Sequence, residues 1–179
     1  MLALEIPSMD MFNDDTQEFL HLDGTTLRLE HSLVSISKWE SKWKKPFLSS
    51  NAKTVEETLD YIKCMTINQN VDDLTYEMLT PEHISKVNEY INDRKTATTF
   101  NDRHELPNRQ VVTSELIYFW MAQFNIPFEC QKWHLSRLLT LIKIASIQNS
   151  PKKKMSPKAI LSQNASLNAA RRKAMHSKG

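Results

Sequence analysis

Thr113-Ser114-Glu115-Leu116-Ile117-Tyr118-Phe119-Trp120-Met121-Ala122-Gln123-Phe124, then Asn125-Ile126-Pro127-Phe128, then Glu129 to Ile144, reads as two amphipathic helices joined by a short turn. Thr113 or Ser114 can cap the first helix, and Leu116, Ile117, Trp120, Met121 and Phe124 recur at helical spacing. Pro127 has no N–H and drives Ile126 out of the α region, so the first helix should stop near Asn125. The second carries Trp133, Leu135, Leu138, Leu139, Leu141, Ile142 and Ile144. This is the densest apolar stretch in the chain. Its plain reading is a core hairpin, with Trp120 and Trp133 inside.

Working outward, the 179 residues suffice for one moderate core with tails to spare. Only two glycines argue against a sandwich, a barrel or a phosphate-cradling fold, which all need φ > 0 positions. No apolar run reaches bilayer length and no signal segment follows Met1, so a soluble protein that stays where it is made is expected, without a membrane partner. Cys64 and Cys130 are too few for a disulfide framework and read as free thiols.

The net charge of +2 hides an asymmetry. Up to Glu129, twelve basic residues stand against all twenty-one acidic ones, leaving −9; after it, eleven basic residues and no acidic one give +11. The pattern is a basic arm on an acidic body. Such an arm can meet nucleic acid, an acidic partner, or a body of the same chain.

Upstream of the hairpin, residues 1–18 show no sustained period and read as irregular or weakly strand-like. Phe19, Leu20 and Leu22, then Asp23-Gly24, then Leu27 and Leu29 predict a small β-hairpin turning at Asp-Gly. Val34, Ile36, Trp39 and Trp43 predict a helix ended by Pro46, with Lys38, Glu40, Lys42 and Lys44 mostly outside its apolar face. Thr54 with Glu57, and Thr80 with Pro81, mark two further helix starts. Residues 92–112 form a long, threonine-rich polar connection. Ser150 to Pro157 ends the globular part. Beyond it lies a basic segment that is either disordered or a lone helix that orders on contact. The fold class is therefore α+β, mostly α, with a small N-terminal β-hairpin, about five helices and a basic C-terminal extension. Its divisions are 1–18, 19–149 and 150–179.

Chemistry is sparse. The histidines His21, His31, His83, His104, His134 and His176 are scattered, and no His-Glu-x-x-His run exists. Cys130 and His134 could begin a zinc site or a nucleophile pair, but no second pair completes the first and no orienting group completes the other. Phosphate-binding, dinucleotide-binding and Gly-x-Ser-x-Gly motifs are absent, so no enzyme and no cofactor is expected. For contact with a partner, Trp39 and Trp43 are apolar anchors where exposed, though the core is the plainer place for them. Lys152, Lys153, Lys154, Arg171, Arg172 and Lys173 are the electrostatic arm. The cluster Trp39, Lys42, Trp43, Lys44 and Lys45 could also stack and neutralise a nucleic-acid strand, but reads more simply as an amphipathic helix with snorkelling lysines.

Three segments, Leu29 to Trp43, Glu57 to Thr66 and Ser114 to Ile142, resemble small proteins encoded among the tail genes of tailed bacteriophages. The ending Leu167-Asn168-Ala169-Ala170-Arg171-Arg172-Lys173 is similar to the basic tails of phage tail-assembly chaperones. The resemblance implies a non-enzymatic protein that binds the tape-measure protein, keeps it soluble and helps recruit tail-tube protein, acting in the host cytoplasm during assembly. A homo-oligomer is compatible with it. The competing expectation is a structural virion component of the tail, neck or baseplate, located in the virion tail. A nucleic-acid-binding protein ranks third, because a body at −9 repels phosphates unless the arm acts alone.

Overall fold

Strands β1 (Leu2–Ile6) and β4 (Thr25–Leu29) pair antiparallel, and so do β2 (Met9–Asn13) and β3 (Glu18–Leu22), in a computed structural model that describes residues 1–13, 17–49, 51–100, 110–149 and 157–175. The register runs on unchanged from one pair to the other. Leu2 faces Leu29 and Ile6 faces Thr25, then Met9 faces Leu22 and Asn13 faces Glu18. The four strands are two halves of one long ribbon, interrupted at Pro7-Ser8 opposite Asp23-Gly24.

Of the two readings of 1–18, irregular or weakly strand-like, the strand-like one holds, since the segment supplies β1 and β2; the expected turn is corrected, since Asp23-Gly24 is not a hairpin turn. The physical reason lies in Pro7 and Gly24. Pro7 offers no ladder N–H, so pairing breaks there. Gly24 has no positive φ; its missing Cβ instead lets the strands approach, since a Cβ would lie 2.9 Å from the Ser8 nitrogen and 3.1 Å from the Ile6 oxygen. Both clashing atoms are backbone and cannot swing away. Gly24→Ala is therefore expected to destabilise the protein by about 1–3 kcal/mol, read as a lower urea midpoint. An unchanged midpoint would show that the interruption can open without cost.

The inner half of the ribbon is the part that joins the core. Leu4, Ile6, Leu27 and Leu29 are buried, while Ala3, Glu5, Thr26 and Arg28 alternate to the outside, as period-two strands require. The open edge of β4 is covered by the chain that follows the second helix: the Ile67 N–H donates to the Arg28 carbonyl (2.8 Å), and Asn68 bonds the Arg28 N–H and the Thr26 carbonyl.

Helices follow in order: α1 (Leu33–Trp43), α2 (Val55–Met65), α3 (Leu74–Glu77), α4 (Pro81–Asn92), α5 (Ser114–Gln123), α6 (Leu135–Asn149) and α7 (Pro157–Met175). The starts are local chemistry. Thr54 Oγ1 accepts from the Glu57 N–H while the Glu57 carboxylate accepts from the Thr54 N–H. Thr80 makes the same reciprocal pair with His83, with Pro81 as the first helical residue. Ser32 and Ser35 do so at α1, which ends with Lys44 in the left-handed region. Seven α-helices among the described residues exceed the five or so expected, because the short α3 and the helical α7 add to the count.

The chain divides into two units, Met1–Ser146 and Ile147–Gly179. In the first, α1 packs on α2 and α5, and Leu33, Ile36, Trp39, Ile62, Ile117 and Leu138 form its fully enclosed centre. Glu40, expected on the solvent side of α1, is buried at 7% exposure. One carboxylate oxygen accepts from the Phe47 N–H and the other from the Ser114 N–H, both at 2.7 Å. The described part of the second unit contains α7, whose side chains from Leu161 to Met175 are exposed. Asp93 to Phe100 carry no helix or strand, and the middle of the polar connection lies outside the described residues. No helix among the described residues is long and apolar enough to cross a membrane.

Candidate functional site

Trp39 and Trp43 share one face of α1 and stack with ring centroids 6.1 Å apart, but their surroundings differ. Trp39 is 1% exposed, donates its indole N–H to the Glu57 carbonyl (2.8 Å) and meets Phe47 edge-on. It is part of the core and offers nothing to a partner. Trp43 is half-buried and donates to Asp60 (2.8 Å). It floors a shallow groove of about 380 Å³ with Leu59 and Tyr76. The rim's two lysines are already paired, Lys42 with Asp60 and Lys63 with Asp73 (2.7 Å), and Glu56 and Glu77 make the rim net acidic. Lys45 is likewise held by Glu57 at 2.5 Å, which together with the Thr54 N–H keeps that carboxyl below its ordinary range. Lys42 and Lys45 are thus held by carboxylates at the surface, which weakens the cluster as a platform for a nucleic-acid strand.

The exposed apolar surface lies instead on the helical hairpin. α5 is apolar nearly all round, yet it buries only Ser114, Ile117 and Met121. Phe119 is 61% exposed, and Leu116 and Trp120 are partly covered. Trp120 lies beside Leu48, Val111, Val112 and Leu139 around a hollow of about 420 Å³. Trp120 thus packs at the rim of the core and not inside it.

Trp133 is a clearer correction. It stands 39% exposed with the Arg137 guanidinium 4.9 Å over its ring. The expected second helix does not begin at Glu129: a 3-10 turn spans Phe128–Lys132 and α6 starts at Leu135. That insertion resets the phase, so that His134, Leu135, Leu138 and Ile142 turn inward and Trp133 outward.

Polar chemistry in the interior is satisfied internally. His31 Nδ1 lies 2.5 Å from the Tyr61 hydroxyl, which also meets Ser35, and the His31 and His134 rings stand edge-to-face at 5.2 Å. His134 has one nitrogen on the Tyr90 carbonyl (3.1 Å) and the other on the Ser136 hydroxyl (2.8 Å). Both of its nitrogens are therefore taken, and Cys130 sits buried in the 3-10 turn without an activated base. Among the described residues no buried side-chain polar atom lacks a partner, and no group of three or more His, Cys, Asp or Glu side chains is disposed to hold a metal ion. Sequence reading missed this histidine pair. Its members are far apart in the chain and share no local spacing.

Of the electrostatic arm, Arg171, Arg172 and Lys173 lie in the exposed last turns of α7, while Lys152, Lys153 and Lys154 fall outside the described residues. No protein-family model matches the chain, and no curated protein or solved structure was found similar to it.

Proposed function

We propose that the chain is a non-enzymatic tail-assembly chaperone that holds amphipathic helices of a tape-measure protein against the apolar face of α5. One observation supports this reading above the others: a helix apolar nearly all round with Phe119, Leu116 and Trp120 left at the surface. Apolar side chains grouped at a surface are the usual mark of a protein–protein contact. An amphipathic helix laid along it would bury its apolar stripe by the helix-in-groove mode. The family resemblance supplies the identity of the guest, the recruitment of tail-tube protein and the action in the host cytoplasm. Lys42 and Lys45 beside Trp43 are bound to carboxylates, so a nucleic-acid reading rests on the basic arm alone.

Phe119→Asp tests the face without touching the core. It should weaken capture of co-expressed tape-measure protein by about tenfold or more, with the circular dichroism of the body unchanged. Unaltered capture would remove α5 from the reading. Mass spectrometry then separates chaperone from virion component. A chaperone is abundant in infected-cell lysate and absent from mature particles; a fixed copy number in particles means a structural subunit.

A further inference from the structure

The outer half of the ribbon carries a second docking surface. β2 and β3 pair only with each other among the described residues, and a lone two-stranded ribbon is marginal in water. Yet this half carries exposed apolar side chains on both faces. Met9 opposite Leu22 lies on one, and Phe12 opposite Phe19 on the other, with the two rings 5.1 Å apart. Met9, Phe12 and Phe19 are 43%, 47% and 75% exposed. Such a sheet face asks for cover.

Charge says what kind. Residues 1–27 hold six carboxylates and no lysine or arginine, whereas residues 147–179 hold eight basic residues and no carboxylate. Asp10 and Asp23, flanking His21, are exposed on the ribbon, and Arg171, Arg172 and Lys173 are exposed on α7. We infer that the β2–β3 ribbon is a self-association element that receives the basic α7 segment of a second copy of this chain. Leu167 and, one turn on, Arg171 share a helix face and meet the phenylalanine rings, while the cationic end meets Asp10 and Asp23. Two copies that exchange their α7 segments close as a twofold pair; an exchange that does not close on itself builds rings or chains. This contact is independent of what binds α5.

Sedimentation velocity of the full chain over a wide concentration range tests this. At low salt the mass should rise with concentration beyond the monomer, and added salt should reverse it. Asp10→Lys with Asp23→Lys should sediment as a monomer, as should Arg171→Glu with Arg172→Glu and Lys173→Glu. Mixing these two variants restores both complementary contacts and should restore association. All five positions are exposed, and unchanged near-ultraviolet circular dichroism verifies the folds. A chain that stays monomeric at every concentration overturns the inference. So does association that survives either charge reversal, or a mixture that fails to reassociate.

Discussion

Glu40→Ala should lower the stability of the body by about 3–5 kcal/mol, because it strips two buried N–H groups of a charged acceptor at once. The carboxylate spans α1, the Phe47 N–H and the first residue of α5. Its charge also faces the positive end of the α5 dipole, where the Ser114 N–H has no partner within the helix. Thr113 serves the neighbouring Leu116 N–H, so the start of α5 is held from two directions. Loss of Glu40 should loosen α5, the helix on which the proposed partner face depends. Urea unfolding at neutral pH measures the effect. Glu40→Gln keeps one oxygen for one of the two N–H groups and should lose clearly less than alanine. A loss below about 1 kcal/mol for Glu40→Ala would mean that water replaces the carboxylate, against its 7% exposure.

Glu40 also marks where sequence reading stops. Helix starts were legible because their donors and acceptors lie within three residues: Thr54 with Glu57, Thr80 with His83, Thr113 with Leu116. The end of α5 before Pro127 was legible for the same reason, with Asn125 taking the left-handed conformation that closes the helix. Glu40 looked like a solvent residue among lysines because its partner lies on another helix. Asp23-Gly24 looked like a turn because local chemistry cannot distinguish a glycine needed for φ from one needed for close approach to Ser8. The apolar density of α5 and α6 was visible, but coverage is a tertiary property. A five-residue 3-10 insertion sufficed to send Trp133 outward. The candidate site emerged from that excess: apolar surface the sequence assigned to a core too small to take all of it.

Acidification should weaken the protein well above the range where carboxylates protonate. His31 is 4% exposed, against Tyr61 on α2, Phe47 and the His134 ring, and burial first, then His134, hold its pKa down to about 4. Nearby Glu30, bonded to the Tyr90 hydroxyl at 2.6 Å, opposes the shift without cancelling it. Burial lowers His134 as well. The unfolded chain takes up these protons near pH 6.5 and the folded chain does not. Stability is therefore complete above about 6.5 and is lost as pH falls toward 4. For His31 the whole span is worth about 3 kcal/mol, of which about 2 should be gone by about pH 5. Glu57, Asp73 and Glu115, all held below their ordinary values, lose their contributions at lower pH still. His21, raised by Asp10, acts in the opposite sense but stands in solvent, where such a pair is weak. Between neutrality and about pH 5 the slope thus belongs to the buried histidines. His31→Asn keeps a polar group toward Tyr61 and removes the titration. Whatever its stability at neutral pH, its urea midpoint should vary much less across that window than the wild-type midpoint. An equally steep slope in the variant, or a flat wild-type profile, would show that His31 takes its proton inside the folded protein.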